Sequence, residues 1–201
     1  MMDKIANGVE DMKLKQIEEY EVNPFTMFIK PIVYGSKIYS EIFEVEDKFL
    51  SPFKPLDIIK NSCEYYGSDY EGRRNGTKRL VGYAHKIPIT IDPTNRLFFF
   101  PTTSPNSQEC IWISQEHVKK CIRTNPQETL ILFNNNQSYT FPVSCRSIMT
   151  QLERAAHLST KLMQRIEYNE RKSFYLLQRP KAMEASEDSF RYGKNKIKDK
   201  S

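Results

Sequence analysis

The stretch HKIPITIDPTNRLFFFPT, from His85 to Thr102, restricts the fold more than any other part of the chain. Asp92-Pro93-Thr94-Asn95 carries turn chemistry: Asp at the first position, Pro preset for the second, Asn able to take positive φ. Two apolar strands therefore meet in a tight hairpin. A four-residue loop sets Ile91 opposite Arg96, Ile89 opposite Phe98 and Ile87 opposite Phe100, an Ile/Phe ladder on one sheet face. Leu97 and Phe99 then point to the other face, so both faces of this strand must be covered. Pro88 cannot donate to a ladder, which makes the first strand an edge. The prolines at either end also blunt strand ends that would otherwise pair with another chain.

The rest of the chain can supply that cover. It has 201 residues, 39% hydrophobic and 27% charged, enough for one domain or two small ones with an adequate core. No apolar run approaches the roughly 18 residues of a membrane span. The start, MMDKIANGVEDMKLK, lacks the apolar region of a secretory signal, so a cytoplasmic protein is expected. Cys63, Cys110, Cys121 and Cys145 form no CxxC pair and read as small hydrophobes in a reducing compartment.

Along the chain, residues 1–14 read as a flexible leader. Ile17–Val22, Met27–Val33 and Lys37–Val45 read as strands, with Asn23-Pro24 turning between the first two. In KPLDIIKNSCEYYG, Pro55 suits a first helical turn and Gly67 a left-handed cap, and Leu56, Ile59, Cys63 and Tyr66 share a face. Cys110–Ile113 is a short apolar segment around Trp112. Thr129–Phe133 and Gln137–Phe141 form a second hairpin across three asparagines. Ser144 caps a long helix whose stripe is Ile148, Leu152, Ala155, Ala156, Ser159, Leu162, Met163 and Ile166. The fold class is α+β: a mainly antiparallel sheet, a short central helix, and a long C-terminal helix packed on the sheet. From about residue 182 the chain is charged and reads as disordered.

Net charge is +5, unevenly spread. Residues 1–50 carry 6 basic and 10 acidic side chains, whereas 51–125 carry 11 and 7. That asymmetry suits a polyanionic partner, nucleic acid or a membrane surface, as well as an ordinary solvated surface. YEGRRNGTKR, residues 70–79, concentrates it: Arg73, Arg74, Lys78 and Arg79, freed by Gly72 and Gly76, read as a flexible cationic arm. Such an arm suits an A/T-rich minor groove, with Asn75 bonding to adenine N3 or thymine O2. The bland alternative is a solvated basic turn.

Signatures of enzymes are missing. There is no phosphate loop, no GxGxxG and no GxSxG elbow. A Cys63–His85 pair has no local signature, and His157 lies mid-helix. Cys110, His117 and Cys121 lack the paired short spacings of a zinc module. No catalytic residue, metal site or cofactor is assigned.

CEYYGSDYEGRRNGT, then HKIPITIDPTNRLFFFPT, then CIWIS with His117-Val118 just beyond, resemble in order and spacing the signature blocks of the ComK family, the competence transcription factors of Gram-positive bacteria. The resemblance is dense over about residues 55–120. It implies a DNA-binding activator of DNA-uptake genes that binds paired A/T-rich boxes, mainly through the minor groove, as dimers pairing into tetramers. It also implies delivery to the ClpC–ClpP protease by a MecA-like adaptor. The adaptor motif of the family is matched by Phe174, Tyr175, Leu176 and Leu177 with Pro180 and Lys181, departing at Gln178-Arg179.

On this reading a single DNA-binding domain spans 15–172 and a largely disordered regulatory tail spans 173–201. DNA contacts come from Arg73, Arg74, Asn75, Lys78 and Arg79, helped by Lys86, Lys119, Lys120 and Arg123. The protein is expected in the cytoplasm, associated with the nucleoid. The alternative class is a protein-interaction module of the same fold that has lost productive DNA binding. An RNA-binding protein is a third reading, but the aromatic cluster reads as core rather than as stacking surface.

Overall fold

In the computed structural model, residues 14–178 are described. Backbone amides in a protein interior need partners, and here two sheets and three helices supply them. The larger sheet orders its strands β1-β4-β3-β2-β7-β6-β5: β1 (Lys15–Gln16), β4 (Lys48–Ser51), β3 (Lys37–Glu44), β2 (Thr26–Tyr34), β7 (Trp112–Ser114), β6 (Leu97–Pro101) and β5 (Ile89–Asp92). All neighbours are antiparallel except β1 and β4. A smaller antiparallel sheet orders β10 (Ser138–Phe141), β9 (Glu128–Phe133) and β8 (Val118–Asn125). The helices are α1 (Pro55–Tyr65), α2 (Tyr70–Val81) and α3 (Cys145–Gln178). The α+β class with mainly antiparallel sheets holds, with two short helices where one was expected.

The phenylalanine run explains the layering. Leu97 and Phe99 join Ile29, Ile42, Trp112 and the α1 residues Ile58 and Ile59 in one core. Phe100 joins Phe28, Ile113, Ile131, Phe133 and Ile148 in another. The larger sheet is thus covered by α1 and α2 on one face and by the small sheet with α3 on the other. Phe28 links the two sheets, stacking on Phe43 at 4.2 Å and meeting Phe133 at 5.4 Å and Phe141 at 5.1 Å. β5 is an edge strand, as Pro88 requires, and Pro88 falls just before it.

The hairpin register differs from the four-residue expectation. Ile89 pairs with Phe99, Thr90 with Phe98 and Asp92 with Leu97, leaving Ile91 as a bulge. Asp92 accepts from the amides of Thr94 and Asn95, both at 3.1 Å. The positive φ falls on Arg96 (φ 56) rather than on Asn95. A one-residue slip moves a strand's side chains to the opposite face, so Ile89 and Ile91 share the core of Leu97 and Phe99 rather than that of Phe100.

Residues 17–22 do not form the expected strand; only Lys15–Gln16 pair, with β4. Partners on α1 and at its C-terminal cap take the Val22 backbone instead. The Val22 amide donates to Ser62 Oγ at 2.9 Å, and Tyr66 Oη donates to the Val22 carbonyl at 3.2 Å. The short apolar segment around Trp112 supplies β7, which begins at Trp112. Pro55 opens α1 and Gly67 follows it at φ 72, as expected. The second hairpin forms β9 and β10. Ser144 caps α3, its Oγ accepting from the Ser147 amide at 3.3 Å.

The chain divides into two compact units, one reaching to Met163 and one starting at Gln164. In the first, Ile148 and Ala155 of α3 are buried, as is Leu158, which the predicted stripe omitted. In the second, α3 continues past residue 172 to Gln178, so Phe174–Leu177 are helical.

Candidate nucleic-acid interface

YEGRRNGTKR is not a flexible arm. It is α2, made from a sequence with little helix preference, since each interior glycine costs about 1 kcal/mol relative to alanine. Local and tertiary contacts offset that cost. Asp69 caps the start, accepting from the Gly72 amide at 2.8 Å. Gly82, at φ 76, closes the end. Tyr70 and Thr77 are buried, and Tyr70 meets Trp112 edge-on at 6.4 Å. Helix α2 packs against α1 and β5.

A helix spreads side chains that an arm would present together. Asn75 and Arg79 are exposed, Lys78 half-buried beside them, and Gly72 and Gly76 lie on this outward side. Gly76 has open space where a Cβ would point. Arg74 is half-buried and paired with Glu71 at 2.9 Å. Arg73 is half-buried, its Nε buried without a hydrogen-bond partner, and its charge acts on Cys63 of α1. Burial pushes the neighbouring Cys63 thiol up to about 11, the Arg73 charge opposing that rise.

Beyond Gly82 the chain passes to β5 through Tyr83, Ala84, His85 and Lys86, and α3 holds this loop. The buried Gln151 donates from Nε2 to the carbonyls of Lys86 at 2.7 Å and Pro101 at 2.8 Å. Arg154 donates to the His85 carbonyl at 3.1 Å and to Gln151 Oε1 at 3.2 Å. Its guanidinium also lies 4.9 Å from the centre of the Tyr83 ring. Lys86 adopts φ 48, a left-handed conformation costing about 1–2 kcal/mol for a residue with a Cβ. Beside the loop a cavity of about 350 Å³ is lined by Arg74, His85, Lys86, Ser104, Asn106 and Glu71, among others.

Arg74 and Lys86 are therefore brought together. Lys119, Lys120 and Arg123 are not part of that group. They are exposed on β8, whose Val118 and Cys121 pack toward the Phe28 core. The α2 helix covers the opposite face of the larger sheet, so the central sheet separates the two basic sets. Lys119 is held at 2.9 Å by Asn136.

Ser104, Asn106 and Gln151 were not singled out from sequence, and His85 figures there only as a nucleophile's partner. One signal existed for Gln151: a polar side chain set between Ile148 and Ala155 at helical spacing faces the core and must find partners there. Cys110 is buried and Cys121 half-buried, and among the described residues no three His, Cys, Asp or Glu cluster as metal ligands do. Phe174, Tyr175, Leu176 and Leu177 are exposed, Leu177 at 85%. Pro180, Lys181 and the segment from 182 onward lie outside the described residues, as does most of the expected leader. No described helix is long and apolar enough to cross a membrane.

Two sheets packed around apolar cores, with basic helical and strand elements on either side, define an α+β protein with charged outer surfaces. The chain belongs to the ComK family: the family model described as ComK protein matches residues 17–167. It is 40% identical over 152 residues to the competence transcription factor of Bacillus subtilis (strain 168), covering 76% of this chain and 79% of that one. No solved structure matches it.

Proposed function

We propose that this protein is a transcription regulator of competence that binds double-stranded DNA, at A/T-rich boxes, through the outward side of α2. The observation carrying this reading is the exposed Arg79 and half-buried Lys78 beside two exposed glycines on one helix, in a chain 40% identical to a competence transcription factor. Gly72 and Gly76 let a phosphate backbone approach the helix closely, and Lys78 and Arg79 meet it with charge.

A helix about 10–12 Å across does not fit a B-form minor groove about 6 Å wide. So α2 lies on the rim, and Asn75 and Arg79 reach inward, or the DNA widens and bends to receive it. Arg73, half-buried beside Cys63 of α1, supports the helix rather than reading bases. Lys119, Lys120 and Arg123 meet phosphates of a second segment or of a bent duplex. Paired boxes call for paired subunits, so the working form is a homodimer that pairs into a tetramer. The exposed Phe174–Leu177 run is the grip of a MecA-like adaptor that passes the chain to ClpC–ClpP.

The test is binding to four ligands at one salt concentration: an A/T-box duplex, the same duplex with I·C for A·T pairs, a G/C duplex and single-stranded RNA. An I·C pair keeps the minor-groove pattern of A·T and shows the major-groove pattern of G·C. Minor-groove reading retains binding to the I·C duplex. Loss of it moves the readout to the major groove, and equal binding to all four removes sequence selectivity.

A further inference from the structure

We propose that the Tyr83–Lys86 loop and α2 together form a seat for one DNA backbone phosphate, and that Gln151 and Arg154 of α3 are the positioning residues that hold it. The inference rests on the DNA-binding reading above and adds to it a particular contact and a supporting element.

The seat is the cavity of about 350 Å³ beside the loop, roomy enough for a phosphodiester group. Arg74 and Lys86 supply its cations, and His85, Ser104 and Asn106 its other polar lining. Glu71 lines it too and now occupies Arg74 at 2.9 Å. An incoming phosphate takes over that guanidinium, whose fork fits two phosphate oxygens. Lys86 Nζ makes one long hydrogen bond, 3.3 Å to the Thr102 carbonyl, and has protons left to donate.

The support is more elaborate than a surface loop needs. A lysine at φ 48 stays there only where its surroundings overdetermine it. Here Gln151 binds the carbonyl of Lys86 itself, Arg154 binds that of His85, and the Arg154 guanidinium lies against Tyr83. Tyr83 Oη also pairs with His157 Nδ1 at 2.9 Å. Successive turns of α3 thus grip a loop that lines the cavity with Ala84, His85 and Lys86. Holding a lysine in a strained conformation beside an arginine suits an anion that must be met in one register.

The experiment measures the salt dependence of affinity for the A/T-box duplex in wild type, Lys86→Gln, Gln151→Met and the double variant, with near-ultraviolet circular dichroism checking the fold. Each DNA phosphate that the protein no longer neutralises reduces the log–log slope by about 0.9. Lys86→Gln should show that reduction. Gln151→Met removes no charge, yet should show a similar reduction, and the double variant should fall no further than Lys86→Gln alone. Arg154→Lys keeps its charge and gives the same readout should Gln151→Met not fold. An unchanged slope in folded Gln151→Met or Arg154→Lys overturns the positioning role, and an unchanged slope in Lys86→Gln overturns the seat. Wild type that binds no duplex overturns the DNA-binding reading and this inference with it. Replacing chloride by inorganic phosphate at matched ionic strength should compete only weakly. Strong competition that disappears in Lys86→Gln assigns the seat to free phosphate and overturns its assignment to DNA.

Discussion

The Asp69 carboxylate accepts a hydrogen bond from the Gly72 amide at 2.8 Å, and a glycine-containing basic segment begins its helix there. A Cβ on Gly72 would stand 2.5 Å from Asp69 Oδ2, so the cap and the glycine depend on each other. Asp69→Ala should cost about 1 kcal/mol in a denaturant titration, the usual value of an N-cap. Gly76→Ala meets open space and should gain about 0.5–1 kcal/mol. If α2 faces DNA closely, the same substitution weakens duplex binding, so stability and affinity move in opposite directions. Stability and affinity rising together would place the DNA elsewhere.

Arg79 and Arg73 should separate cleanly. Arg79 is exposed on the outward side, and Arg79→Ala should cost about 1–3 kcal/mol of binding and shrink the preference for A/T over G/C duplex. Arg73→Ala should leave that ratio unchanged and act on stability, because its Nε is already buried. Competition binding at fixed salt, paired with thermal melts, distinguishes the two.

Phe99 is wholly buried at the centre of the core shared with α1. Phe99→Ala should destabilise by about 3–5 kcal/mol. Urea unfolding measures this, and a destabilisation near zero would contradict the two-sided burial of β6.

Acid should weaken the outer half of the larger sheet through Glu41. Burial alone would raise its pKa, but hydrogen bonds and charge from Lys30 at 2.7 Å and Lys48 at 3.0 Å hold it below the ordinary carboxylate value. A depressed carboxylate contributes stability above its unfolded pKa, about 4.3, and that contribution fades as pH falls through the folded value. Stability against pH should therefore decline below about 4.3 in wild type and decline less in Glu41→Gln. At neutral pH Glu41→Gln should cost about 1.5–3 kcal/mol at most, the range for hydrogen bonds to charged groups, because Lys30 is partly solvent-screened. Parallel acid titrations of the two proteins check the sign.

Phe174 and Leu176 are exposed at 58% and 59%, so replacing both with Ala should leave the melting temperature nearly unchanged. Cellular lifetime should lengthen if they are the adaptor's grip. A pulse-chase in cells that carry the adaptor reads this, and an unchanged lifetime assigns the run another role.

What the sequence determined by itself was local or periodic. Pro55 and Gly67 bound α1, Ser144 opens α3, three asparagines turn β9 into β10, and the side-chain alternation of a strand puts Leu97 and Phe99 opposite Phe100. Each follows from chemistry within a few residues or from a period of two or 3.6. Tertiary structure decided what depends on distant partners. Residues 17–22 are strand-like in composition, yet Ser62 of α1 and Tyr66 at its C-cap take the Val22 backbone. The bulge at Ile91 moved the isoleucines to the other face through one residue of register. Residues 70–81 become a helix because Asp69 caps it and Tyr70 packs against Trp112. That folding leaves Arg79 exposed and Arg73, Arg74 and Lys78 half-buried on different sides of α2. Proximity in sequence had grouped them, but on a helix each residue advances about 100° around the axis, so packing selects which of them face a ligand.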